Sequence, residues 1–251
     1  MLDGRRILVT GASSGIGRGL LPVFAEHGAR LLGVGRDAAA LDLAAASAQP
    51  GAVATAVADL TTEAGRSAVI TAVDHRFGGV LDVVVHAAGL LGPPGVPLAD
   101  YPPEEWHRVM DVNVTAVHLL HQTLADALGR SPSPTVIGVS STVGREGRGG
   151  WGAYSVSKFA LEGWLATLAD EFEGRVFSVN PGGTRTPMRA SAVPAEDPMT
   201  LPTPADISPL FLRLSHAEVP EDNGSLFDAR DWIGADPWGG ITTGAHGSEI
   251  R

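Results

Sequence analysis

Short apolar runs alternate with longer stretches of helical periodicity along this chain. Residues 6–10 form the first run, and from about residue 15 to residue 27 Ile16, Leu20, Leu21 and Phe24 recur on one helix face. Pro22 falls inside that helix, where it lacks the N–H that the preceding turn needs, and predicts a local kink near Arg18. Further runs at 29–34, 53–58, 81–86, 135–140 and 176–180 read as strands. Between them lie helical patterns: an Ala/Leu-rich stretch capped by Asp37, residues 62–77, residues 102–128 and a helix running from Tyr154 to about Phe172. The run at 81–86 is of the kind buried on both faces of a parallel sheet. Strands alternating with helices predict an α/β fold, a mostly parallel sheet with helices on both faces.

The C-terminal third is less regular. A Pro-rich segment at 181–204 is too long for an ordinary connection, which predicts a mobile substrate loop near 183–204. A short helix at 204–216 and a last strand at 225–227 follow. The tail, 229–251, carries Trp232 and Trp238 without clear periodicity, and the sequence does not decide whether it docks. No internal repeat or second domain interrupts the pattern, so 1–251 reads as a single domain, a length that buries an adequate core.

Composition narrows the chemistry. The absence of cysteine removes disulfides, thiol nucleophiles and thiolate metal sites and fits a reducing, cytoplasmic setting; no metal site is expected. The N-terminus has no signal-peptide pattern, and no apolar stretch reaches the ~18 residues of a membrane span. A net charge of −10 disfavours nucleic acid or an anionic membrane as partner. Any phosphate-bearing ligand must then be held by local groups acting against the overall field.

Such groups stand after the first strand. In Thr10-Gly11-Ala12-Ser13-Ser14-Gly15-Ile16-Gly17 the glycines permit a tight turn and close backbone approach, and the helix that follows presents free N–H groups to a pyrophosphate. At the end of the second strand, where an NAD site has an acid, the chain has Gly35 and then Arg36. A guanidinium there suits a 2′-phosphate, so the pattern favours NADP(H) over NAD(H), with Asp37 close by as the competing feature.

One of only two tyrosines, Tyr154, lies four residues before Lys158, so the two share a helix face. An ammonium near a phenol favours the phenolate, and bringing a tyrosine from pKa ~10 to neutrality takes roughly 4 kcal/mol. Ser141 precedes Tyr154 by thirteen residues, with Ser140 as its rival. Asn113 interrupts an apolar helix face, where a buried amide needs partners and can bend the helix.

Taken together, Thr10-Gly11-x-x-x-Gly15-Ile16-Gly17, Asp59, Ala87-Ala88-Gly89, Asn113, Ser141, Tyr154-x-x-x-Lys158 and Asn180-Pro181-Gly182 resemble the short-chain dehydrogenase/reductase superfamily in its standard-length branch. The stretch 143–198 most resembles the YciK-type bacterial oxidoreductases. The resemblance implies a Rossmann-type doubly wound sheet of seven strands and hydride transfer between a nicotinamide and a carbonyl or alcohol. It makes Tyr154 the general acid or base, with Lys158 lowering its pKa and bonding the nicotinamide ribose. Ser141 then donates to the substrate oxygen, and Asn113 helps hold a water behind Lys158. It further implies cofactor contacts from Gly11, Ser13, Ser14, Ile16, Gly17, Arg36, Asp59, Leu60, Ala88, Gly89, Pro181, Gly182, Thr184 and Thr186, besides Tyr154 and Lys158.

The chain departs from the family's usual Asn-Asn-Ala-Gly, having His86-Ala87-Ala88-Gly89, so a strand-tying asparagine is missing at Ala87. His86, ending a buried strand, reads more readily as a packed residue than as a proton shuttle. Expected pocket walls are Leu90, Leu91, Val143, Trp151, Thr184 and Met188, with Arg145 and Arg148 able to attract an anionic substrate group. A small-molecule substrate and a homodimer or homotetramer through the helices at 103–128 and 154–172 complete the expectation. Competing readings are an NADP-binding redox-sensing regulator, an NAD-dependent alcohol dehydrogenase, and a non-redox enzyme such as a sugar-nucleotide epimerase.

Overall fold

The computed structural model describes residues 1–241. Seven strands, β1 (Arg6–Thr10), β2 (Arg30–Gly35), β3 (Val53–Val57), β4 (Val83–His86), β5 (Thr135–Val139), β6 (Arg175–Asn180) and β7 (Leu226–Asp228), form one sheet in the order β3-β2-β1-β4-β5-β6-β7. Every neighbouring pair is parallel, so the expected "mostly parallel" sheet is parallel throughout. Helices α1 (Gly15–Glu26), α2 (Ala38–Ala46), α3 (Glu63–Phe77), α4 (Pro103–Met110), α5 (Ala116–Gly129), α6 (Gly152–Glu171), α7 (Pro187–Ala192) and α8 (Ser208–Leu214) complete the doubly wound α/β fold.

The strand period of two distributes the core. Ile7 and Val9 face a layer built with Leu20 and Phe24 of α1 and Phe211 of α8. Leu8, between them, faces the opposite layer with Val73 of α3, Leu120 of α5 and Leu165 of α6. Burying each such side chain is worth about 1.5–3 kcal/mol, which is why these strands contain almost no charge. β1 has β2 on one side and β4 on the other, so the loops leaving β1 and β4 diverge. The crevice at their carboxyl ends is where an open parallel sheet binds its ligands.

The structure adds local detail to three of these segments. Pro22 lies inside α1, which runs unbroken from Gly15 to Glu26. The segment 102–128 is not one helix: α4 and α5 are joined by a π-helical stretch, Asp111–Thr115. The segment 183–204 contains α7 and a 3₁₀ turn, Pro198–Thr200. Arg185 ties it together, donating to the carbonyls of Pro198 at 2.8 Å and Leu201 at 3.0 Å.

In the tail, Trp232 and Trp238 pack against the α1–α8 core, and the Arg213 guanidinium lies 5.1 Å from the Trp232 ring centre. The last ten residues of that tail lie outside the described residues. Among the described residues no helix is long and apolar enough to cross a membrane.

Where the chain has Ala87 and no asparagine, Thr10 makes a strand tie. Its buried hydroxyl oxygen accepts from the N–H groups of Ala87 at 3.1 Å and Ala88 at 3.0 Å, joining the end of β1 to the turn after β4. Gly11 makes this approach possible: its φ is +68°, and a Cβ there would stand 2.8 Å from the Ala88 Cα. Replacing Thr10 with valine keeps the shape and strands the two N–H groups. Urea unfolding of Thr10→Val is expected to show a loss of about 1–3 kcal/mol; an unmoved midpoint would contradict the tie.

Candidate active site

The cleft is assembled from the loops at the carboxyl ends of the strands. Ser14 precedes α1 in extended conformation with no side-chain cap, and the first turn of α1 carries no acid, so its free N–H groups and positive end face the crevice. Gly17 lets the loop fold onto the helix, since a Cβ there would sit 2.6 Å from the Gly11 carbonyl oxygen. One half of the cleft is lined by Gly11, Ser13 and Ser14 after β1, Arg36 after β2, Asp59 and Leu60 after β3, and Ala88 and Gly89 after β4. The other half shares Gly11, Ser14 and Gly89 and adds Ile16, Tyr154, Lys158, Pro181 and Thr186. Backbone that approaches this closely beside an uncapped helix end fits a dinucleotide pyrophosphate.

At the far end of the cleft Arg36 is exposed and lines the wall. Asp37 is occupied elsewhere: its carboxylate accepts from Ala40 N–H at 3.0 Å and caps α2. Asp59 accepts from the Thr61 hydroxyl at 2.7 Å and the Thr61 N–H at 3.0 Å. Those bonds, and the charge of Arg36, hold its carboxyl below the usual range. Thr62, not Asp59, caps α3.

At the near end α6 carries Tyr154 and Lys158, both buried. Lys158 is the sole lysine of the chain; the other seventeen cationic side chains are arginines. Its Nζ donates to the Val139 carbonyl at 2.8 Å. The 3₁₀ turn Thr142–Gly144 lies directly on α6, because Gly144 has no Cβ to meet Lys158, and Ser155 Oγ donates to the Val143 carbonyl at 2.6 Å. Burial pushes the Lys158 pKa down to about 8, with Glu162 pulling the other way. The net direction of the Tyr154 pKa is upward, where a lowering was expected. Burial raises it and the neighbouring Ser141 hydroxyl opposes the rise, while Nζ stands 5.7 Å from the phenol ring centre. Removing a phenol from water disfavours its anion, so Tyr154 is held protonated. Ser140, the rival of Ser141, is buried with its hydroxyl lacking a partner among the described residues.

Asn113 sits in the π-helical stretch, where the extra residue in the turn brings its amide inward. Its Oδ1 accepts from Leu90 N–H at 2.7 Å, and its Nδ2 donates to the Leu90 carbonyl and to Ser157 Oγ, both at 2.9 Å. Ser157 in turn donates to the Tyr154 carbonyl at 2.7 Å. With both amide donors engaged, the Asn113 side chain clamps the Leu90 turn to α6.

The family model for short chain dehydrogenases matches residues 5–197. The chain is 43% identical over 239 residues to the uncharacterized oxidoreductase YciK of Escherichia coli K12, covering 92% of this chain and 93% of that protein. The chain belongs to the short chain dehydrogenase family. Among solved structures it is similar to a short chain dehydrogenase from Shigella flexneri 2a complexed with NADP (TM-score 0.86, 41% identity, 91% of this chain and 98% of that one). It is likewise similar to one from E. coli CFT073 complexed with NADPH (TM-score 0.85, 42% identity, 91% and 97%). The resemblance to YciK-type oxidoreductases read from residues 143–198 is borne out.

In this short chain dehydrogenase most of the expected pocket walls gather at Tyr154. Leu91, Val143, Trp151 and Met188 form one cluster with it, and Thr184, Gly182 and Thr186 border the same space. Leu90 does not join them; it packs with Tyr101 and Val109. Arg145 turns away from the pocket, with Glu162 at 2.9 Å, Asp228 at 3.7 Å and the Ser178 hydroxyl at 3.2 Å. His86 is buried against the edge of Trp164, and burial lowers its pKa to about 3, so it stays a neutral packed residue. Ser157 was not singled out by the sequence patterns, and Thr10 stood in the glycine-loop motif without a role of its own. The signal for Ser157 was a polar side chain set between Tyr154 and Lys158 on a helix otherwise packed with leucines. Asn113→Ala should strand the Leu90 N–H and cost about 1–3 kcal/mol in urea unfolding; an unchanged stability would show that the clamp carries nothing.

Proposed function

We propose that this dehydrogenase is an NADP(H)-dependent oxidoreductase acting between a carbonyl and an alcohol, with Tyr154 as its acid and base. The observation that carries the reading is the position of Tyr154. It is buried and held protonated where the dinucleotide cleft opens into an apolar pocket, with Lys158 and Ser141 beside it. Bound in the cleft, the dinucleotide supplies or takes up a hydride equivalent. The protein must then orient the substrate and move one proton. In reduction the Tyr154 hydroxyl gives its proton to the substrate oxygen, and the Ser141 hydroxyl donates a hydrogen bond to the same oxygen as charge develops. The phenolate left behind is stabilised by the Lys158 ammonium, and in oxidation the proton returns from the alcohol to that phenolate. Gly11, Ser14 and the start of α1 would hold the pyrophosphate, Asp59 and Leu60 the adenosine end, and Lys158 the nicotinamide ribose.

Arg36, with Asp37 committed to its cap, supports NADP(H) over NAD(H), as do the NADP and NADPH bound by the two related structures. Phe159, 44% exposed on α6, supports pairing of that helix face with a second copy. A dimer or tetramer by light scattering fits that pairing.

Tyr154→Phe should cut turnover of an accepted carbonyl by about 10²–10⁴-fold while NADPH still binds; full turnover would overturn the assignment. Lys158 is charged below about 8 and loses its proton above that pH, so reduction should be fast near neutrality and decline as pH rises through about 8. A profile rising through that range contradicts the role of the ammonium. Arg36→Ala should weaken NADPH binding about tenfold to a hundredfold, the cost of one charged hydrogen-bond partner, and leave NADH binding unmoved. Equal effects on both would contradict the assignment of Arg36.

A further inference from the structure

The space at Tyr154 does not end there. It is shared, through Leu91, Trp151 and Ala192, with a second cavity that opens between the turn after β4 and the turn before α6. The mouth of this second cavity is backbone. Gly95 N–H donates to the Gly150 carbonyl at 2.8 Å, both glycines have a φ of +81°, and a Cβ on Gly150 would lie 3.5 Å from the Gly95 Cα. Side chains on that rim would narrow the opening. Trp151 forms one wall, its ring centre 5.9 Å from that of Tyr154, and Ala192 on α7 stands where a larger residue would divide the two cavities.

Charge decides what such a slot accepts. Among the described residues lining the two cavities, Arg189 alone is ionic. It is held in a two-point pair with Glu196, at 2.6 and 2.7 Å, and presents no free cation. Of the two cations expected to draw an anionic group, Arg145 is tied to Glu162 and Asp228, and Arg148 is exposed and lines neither cavity. The geometry points to an uncharged carbonyl compound whose carbonyl reaches Tyr154 and whose extended alkyl chain lies along Leu91, Trp151 and Ala192, with Ala192 setting the length admitted. What the slot delivers to Tyr154 rests on the oxidoreductase reading; the slot itself does not.

Two readouts separate these. The first is binding of unreactive butanamide and octanamide, followed by saturation-transfer NMR in the presence of NADP. Octanamide should bind at least about tenfold more tightly, a conservative share of the transfer free energy of the added methylenes. Ala192→Phe should collapse that preference and Ala192→Gly should keep it. No preference in the wild type, or a preference untouched by Ala192→Phe, overturns the slot. The second is reduction of 2-butanone, 2-octanone and 2-oxooctanoate. The ratio of kcat/KM for 2-octanone over 2-butanone should follow the binding preference, and the charged ketone should be the poorer substrate. A better rate on 2-oxooctanoate overturns the uncharged assignment. A chain-length preference in amide binding without turnover of any ketone would leave the slot standing and remove the oxidoreductase reading.

Discussion

An ammonium group taken out of water beside the cleft is the constraint on which the rest of the site depends. Lys158 has one hydrogen-bond partner of its own, the Val139 carbonyl, and burial moves it from 10.5 to about 8. Holding it charged at neutral pH therefore costs roughly 3 kcal/mol. The sign follows from a base depressed in the folded state: the penalty is full below about 8 and fades as pH rises toward 10.5. The surroundings are arranged to keep the group in place despite this. Gly144 lets the turn lie flush on α6, Ser155 ties that turn to the helix, and Ser157 passes the hold of Asn113 to the Tyr154 backbone.

The cleft solves a second electrostatic problem. A chain of net charge −10 repels a phosphate-rich ligand at long range, so attraction must come from groups that act at contact. The start of α1 does this without a basic side chain, and the capping of α2 engages the Asp37 carboxylate that follows Arg36 in the chain. Thr10 and Gly11 keep the two binding turns together, so the same few residues that close the fold also set the width of the cleft.

Much of this was legible in the sequence because it rests on local rules. Strand and helix periods gave all seven strands and the two-layer core, and the glycine loop and Tyr154-x-x-x-Lys158 named the cleft and its near end. What was not legible depends on contacts across the fold. The π-helical stretch is set by Asn113 meeting Leu90 and Ser157, residues 23 and 44 positions away. The Tyr154 pKa moves up because burial outweighs the Ser141 hydrogen bond, and burial is a tertiary property. Arg145 looked free in a loop and is held by Glu162 of α6 and Asp228 of β7, partners that no short motif reveals. The segment 183–204 looked irregular because its order comes from Arg185 and Arg189 bonding along the loop rather than from a repeating pattern.

Because Lys158 is the sole lysine, protein labelled with ¹³C at lysine Cε gives one side-chain resonance, free of overlap. Its titration reports directly on the buried ammonium. A midpoint at about 8 is expected; a midpoint at the ordinary 10.5 would show that Lys158 is solvated, and that the site is not built around it.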